Sequence, residues 1–261
     1  MLKYIFKSII FISLLVSNFL VFGVEKKVDQ KKIVFELLKS VETKDPKSIQ
    51  NIDEKKFKEN NYRVRDSIKG FNKIHKKLPN SPIKVNTIRV FEDKNFVFAH
   101  TDYIFKGPQV GIDIFRFENS KIVEHWGGLE QKVDKKNSTG NTQIDGSKEI
   151  KDLKKTDANK KIILEYIQTV LINQKISSIK KWIDPKNYIQ HSAIIENEFS
   201  ISKKNIKYND IDNILGEGNF VLAISQGDMA CEEYTFYDLF RLDKGKIVEH
   251  WDVIQKMTHE F

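Results

Sequence analysis

Two carboxylates and an imidazole near the C-terminus are the residues of this chain best suited to acid–base chemistry. Asp252 follows the run KIVEHW and is flanked by Trp251, Val253 and Ile254. An ionisable group in such apolar company needs a chemical reason to be there. His250 precedes it by two, so strand alternation puts both on one face with Val248 and Ile254, and Glu249 and Trp251 on the other. Asp238 lies upstream in YDLFRLDKG. If Gly245 closes a three-residue bulged turn, Leu242 pairs with Lys246 and Asp238 lies opposite His250. Asp238, His250 and Asp252 then converge on one sheet face, and Arg241 and Glu249 form a cross-strand ion pair on the opposite one. A two-residue turn would slip the register by one and carry Asp238 to the other side. Burial raises a carboxylate's pKa, and two neighbouring carboxylates push their values apart, one becoming donor and the other base.

The elements that position these residues occur twice. KIVEHW is found at 121–126 and again at 246–251, and Asp113-Ile-Phe-Arg116 faces Asp238-Leu-Phe-Arg241 at the same spacing. Asn95-Phe-Val matches Asn219-Phe-Val, and Ile52-Asp53 matches Ile183-Asp184. Ile33, Val34, Leu37, Leu38 and Val41 match Ile162, Ile163, Tyr166, Ile167 and Val170. Matches in this order read as a tandem duplication. Each unit opens with an amphipathic helix, the second of which Asp157 or Asn159 could cap. Strands follow, in the second unit near 205–214, 219–226, 233–242 and 246–256. Helices first and an antiparallel meander afterwards predict an α+β fold, a curved sheet wrapped around N-terminal helices in each unit. The expected division is a signal peptide over 1–23, a first domain over 24–131, a polar linker over 132–157 that cannot bury a core, and a second domain over 158–261. Gly127 stands where the second copy has Asp252, so the first copy lacks that carboxylate.

Composition narrows the partners. The net charge of +8 comes almost wholly from lysine scattered along polar faces, with five arginines in no cluster. That pattern describes a solvated surface and argues against nucleic acid. Lys3 and Lys7 precede an apolar run from Ile9 to Phe22, and Val21 and Gly23 suit signal-peptidase cleavage before Val24. The expectation is a periplasmic or secreted bacterial protein that touches membrane only through this segment, or one anchored by it uncleaved. Cys231 is the sole cysteine, which rules out an intramolecular disulfide and a cysteine metal site.

The run YDLFRLDKGKIVEHWDVIQ (237–255), preceded by YIQH (188–191), resembles the SnoaL-like polyketide cyclases of the nuclear-transport-factor-2-like superfamily. The likeness spans both repeats. It implies two tandem cone-shaped α+β domains and cofactor-free, metal-free proton transfer, an Asp drawing a proton from beside a carbonyl. Asp252 is the position onto which that role carries, with Asp238 lining the same cavity and His191 and His250 as polar companions. The resemblance also implies a third-strand histidine. The first copy has His100 there and the second Ile224, while Asn60 stands for His191 in the first, so neither copy holds the full set. Members commonly dimerise through their sheets, which makes an internal pseudo-dimer the expected arrangement. Two functions remain open: an acid/base cyclase, isomerase or lyase on a small hydrophobic carbonyl compound, or a non-catalytic ligand-binding or interaction module.

Overall fold

The computed structural model describes residues 28–60, 83–195 and 205–257. The signal segment expected at 1–23 lies outside them. Helix α1 (Gln30–Thr43) starts at Asp29, whose carboxylate accepts from the Lys32 amide, and ends where Lys44 turns left-handed. Its apolar stripe, Val34, Leu37 and Leu38, packs on Val97, Phe115 and Ile122. Those residues belong to a five-stranded sheet formed by β1 (Lys58–Glu59), β2 (Lys84–Asp93), β3 (Phe96–Ile104), β4 (Pro108–Glu118) and β5 (Lys121–Gln131). The strand order is β1-β5-β4-β3-β2, antiparallel except for the short parallel β1.

The second half repeats the plan. Helix α2 (Thr156–Tyr166) runs on through a π-helical turn to Ile172 and covers one face of β6 (Ile189–Gln190), β7 (Ile206–Glu217), β8 (Phe220–Met229), β9 (Glu232–Asp243) and β10 (Lys246–Lys256), ordered β6-β10-β9-β8-β7. The α+β class and the four long strands expected of this half are present. The capping expectation is corrected. Neither Asp157 nor Asn159 caps α2, because the helix begins at Thr156 and Asn159 is buried, donating to the Gly218 carbonyl.

The turn before β10 also differs from expectation. Asp243 pairs with Lys246 around Lys244 and Gly245, both at positive φ, so the loop has two residues. The extra residue lies within the strand, a bulge at Val248 between the Ile247–Leu242 and Glu249–Arg241 pairs. One residue gained in the strand offsets one lost from the turn, so Asp238 keeps its face, but its direct partner across the ladder is Asp252, not His250. The first half does the same, with Asn119 and Ser120 at positive φ and the bulge at Val123.

The sheet faces away from the helices meet each other. Phe91, Phe98, Ile112 and Ile114 of the first sheet pack with Phe220, Leu222, Leu239, Trp251 and Val253 of the second. The polar contacts around this core are reciprocal. Glu130 accepts from the Ile254 amide, and Gln255, at the equivalent position in the other half, accepts from the Leu129 amide. Asp93 accepts from the Gly216 amide and Glu217 from the Glu92 amide. Lys31 of α1 reaches Glu217, and Lys160 of α2 reaches Asp93. Such exchange of matching groups is the mark of an isologous contact.

Gly128 is part of the same packing, since a Cβ on it would lie 2.5 Å from the Tyr237 ring of the other sheet. Gly128→Val is therefore expected to destabilise the chain by about 1–3 kcal/mol through overpacking. In a Tyr237→Ala background the added cost should be clearly smaller, and denaturant unfolding of the four proteins measures that coupling. Equal costs in both backgrounds would rule out this contact.

Candidate functional site

On the helix-covered face of the second sheet, Asp238, His250 and Asp252 come together, each no more than 3% exposed. His250 Nε2 lies 2.9 Å from Asp238 Oδ1, and its ring stacks on Phe240. Tyr208 donates its hydroxyl to the same Asp238 carboxylate. The remaining ring nitrogen, Nδ1, is 3.0 Å from the Gln190 side-chain amide. Gln190 Oε1 already accepts from the His191 and Ser192 backbone amides, so its NH₂ group must face the ring. Nδ1 of His250 is thus an acceptor, and the ring carries its proton on Nε2, pointed at Asp238.

His191 does not join this group. Its ring stacks on Trp251 and bonds Glu249 at 2.9 Å, on the opposite side of the sheet. The alternation that puts Gln190 beside His250 sends its neighbour the other way. Glu249 also pairs with Arg241, the cross-strand pair expected from the sequence. Burial works to raise the Glu249 pKa, but the bonds to His191 and Arg241 outweigh it and hold the group below its ordinary range. His100 likewise faces the sheet interface, 3.0 Å from Arg89. Burial first, then the charges of Arg89 and His191, hold it well below 6.5, so its Nδ1 accepts from the guanidinium.

The first half contains a cluster that sequence reasoning missed. His125 sits between Glu59, 2.9 Å from Nδ1, and Asp113, 3.2 Å from Nε2, and Tyr103 donates to Asp113 at 2.6 Å. The His–Asp pair of the second half recurs here with a carboxylate, Glu59, where the other has the amide Gln190; the tyrosine comes from β3 instead of the edge strand, and Gly127 replaces Asp252. Both ring nitrogens of His125 now face acceptors, which demands an imidazolium. Burial acts to lower its pKa, yet Glu59 and Asp113 together push it up to about 10. The signal was present in the repeat: His125 and Asp113 are the counterparts of His250 and Asp238.

Glu130 is the other residue missed. It comes from β5 of the first half, yet burial, and after it the charge of Asp252, push its pKa up to about 8, against a smaller opposing bond from Ile254. No local pattern in LEQKV could show that strand β5 brings this carboxyl within the field of Asp252.

Two pH effects follow. A folded pKa raised above the unfolded value makes a contribution that is complete below the unfolded pKa and lost as pH climbs through the folded one. For Glu130 that loss spans roughly pH 4.5 to 8, and for His125 roughly 6.5 to 10. Glu130→Gln, which copies Gln255, should flatten the fall in melting temperature between pH 5 and 8. NMR titration should find the His125 ring protonated throughout the neutral range in the wild type. In Glu59→Gln, which copies Gln190, its pKa should drop well below 10. A His125 ring that titrates normally near 6.5 in the wild type would contradict the two-carboxylate clamp.

No protein-family model and no curated protein matches the chain. Among solved structures, it is similar to an NTF2-like protein from Cytophaga hutchinsonii, at 16% identity and a TM-score of 0.35, over 41% of this chain and 94% of that one. TsrD from Streptomyces laurentii aligns at 14% identity and a TM-score of 0.33, over 38% of this chain and 86% of the other. IdmH from Streptomyces antibioticus, a candidate polyketide cyclase, aligns at 15% identity and a TM-score of 0.29, over 37% and 91%. Each neighbour is thus matched over most of its length by about two-fifths of this chain, and scores this low bear on neither reaction nor ligand.

Proposed function

We propose that this chain is an exported tandem protein of the SnoaL-like kind whose second half performs cofactor-free acid/base chemistry on a small hydrophobic carbonyl compound. The observation that carries this reading is the convergence of Asp238, His250 and Asp252 on one buried sheet face. Asp252 is the base. Its charge acts on Glu130, which burial first and then that charge keep protonated near neutrality. Like charges set close together divide into one donor and one acceptor, the division that proton transfer requires. In the proposed step the Asp252 carboxylate takes the proton from the carbon beside the substrate carbonyl, and the negative charge moves to the carbonyl oxygen. Glu130 is the acid able to supply a proton to that oxygen. Asp238, held by Tyr208 and His250, fixes the ring and the floor of the site and needs no exchange of protons. In this reading the two halves form an internal pseudo-dimer, supported by the matching bonds from the Ile254 amide to Glu130 and from the Leu129 amide to Gln255.

The experiment is α-deuterium exchange into a cyclic aromatic ketone such as 1-tetralone. Asp252→Asn is expected to lower exchange by about 10²–10⁴-fold, the usual weight of a general base, with the circular dichroism spectrum unchanged. Exchange that survives the substitution in a folded protein eliminates Asp252 as the base. A second reading, a ligand-binding module without turnover, is favoured by the internally bonded His125 cluster, which lacks a carboxylate at 127. It predicts saturable ketone binding and no exchange in the wild type.

A further inference from the structure

Between the two sheets lies a cleft of about 520 Å³, half open, floored by Trp126, Phe96, Ile114 and Tyr237. Glu59, the carboxylate that clamps His125, also lines it, so the cleft borders the His125 cluster. Asn213, Ile224 and Asn60 also line it, and Asp212 stands exposed at its rim. The repeat gives each of these positions a counterpart in the other half. Trp126 corresponds to Trp251, Phe96 to Phe220, Asn60 to His191 and Ile224 to His100. The ladder pairs confirm the last, since Arg89 pairs with His100 as Asn213 pairs with Ile224. A matching cleft must therefore exist on the other side of the interface, and it is full.

Its occupant is the chain itself. The segment Thr142–Ser147, TQIDGS, lies across Trp251 and is held largely by its backbone. Trp251 Nε1 donates to the Asp145 carbonyl at 2.9 Å. Arg89, stacked over the Trp251 ring, donates to the carbonyls of Ser147 at 2.7 Å, Asp145 at 2.5 Å and Ile144 at 3.3 Å. Glu249 accepts from the Ser147 amide. The charged side chain of the segment is Asp145, whose carboxylate meets His191 at 2.8 Å, while Ile144 packs on the interface core and Gln143 is buried. Gly146 presses so closely that a Cβ would lie 2.2 Å from a Glu249 oxygen. One of two matching clefts thus works as a peptide seat.

From this we infer that the open Trp126 cleft is a binding site for an extended segment of another polypeptide, and for a basic one. The apolar floor is kept, so a flat backbone can lie on Trp126 as it lies on Trp251. The cationic set is not kept: Arg89, His100 and His191 become Asn213, Ile224 and Asn60. Asp212 adds a carboxylate at the rim, and the described lining contains no lysine or arginine. The charged side chain that the filled seat reads is an acid, and the open seat, with Asp212 and Glu59 in its lining, has the charge to read a base.

The test uses the full chain and two capped peptides, TQIDGS and TQIKGS, followed by intrinsic fluorescence and by chemical-shift perturbation. Of the three tryptophans, Trp182 and Trp251 are buried and Trp126 lines the open cleft, so a bound peptide reports through Trp126. TQIKGS should saturate the signal and bind more tightly than TQIDGS. Asp212→Lys, a substitution at an exposed residue that leaves the core intact, should weaken TQIKGS by about tenfold, the effect of one lost charge contact. Its shifts should map to Trp126 and Tyr237. The inference is overturned by no saturation at millimolar TQIKGS, by equal affinity in Asp212→Lys, or by displacement of the peptide by 1-tetralone, which would mark a small-molecule site. None of these outcomes depends on whether Asp252 exchanges a proton.

Discussion

The packing of the two sheets against each other is the constraint on which the other features depend. Each sheet has one face covered by its own helix, and the opposite face carries large apolar side chains, Phe91, Phe98 and Ile112 in the first and Phe220, Leu239 and Trp251 in the second. Exposed to water, such faces would cost on the order of 25 cal/mol for every Å² of apolar surface. The chain supplies the remedy itself, because its two sheets have the same strand order and each offers the other an apolar face. Reciprocal backbone caps by Glu130 and Gln255, and by Asp93 and Glu217, close the rim where strand amides would otherwise lose water without gaining a partner.

Once the halves are joined, they are free to diverge. Substitution of Gln190 for Glu59 changes a doubly accepted imidazolium into a ring with a single, directed proton. Glu130 and Gln255 differ in the same sense, a carboxyl on one side and an amide on the other, and only the carboxyl is coupled to Asp252. The two clefts at the interface diverge by charge as well, one provided with Arg89 and His191 for the connecting segment and the other provided with Asp212. The connecting segment, polar enough to suggest a mere spacer, is one of the most closely held stretches of the interface. Its bonds to Arg89 and Trp251 are made by backbone carbonyls, which every sequence possesses and no composition reveals.

The errors of sequence reasoning have specific causes. Assigning the extra residue to the turn and not to the strand gave the wrong partner for Asp238 but the right face, because a bulge and a longer loop shift the alternation equally. His191 was grouped with His250 through the YIQH motif, although adjacent residues of a strand point apart. The first half was discounted for lacking Asp252's counterpart, while its His125, Asp113 and Glu59 form the more highly charged cluster. Each error concerns which side of a sheet a residue occupies or what lies beyond that sheet.

What the amino-acid sequence determined by itself is the α+β class, the strands of the second half, the Arg241–Glu249 pair, and the shared face of Asp238, His250 and Asp252. All of these follow from periodicity and local spacing, which the chain states directly. What only the tertiary structure decided is the partner of each polar group: Glu130 for Asp252, Gln190 for His250, and the backbone of TQIDGS for Arg89. Those partners come from strands and segments tens of residues away, brought together by burial of two apolar faces, and burial carries no signature in the residues that it brings into contact.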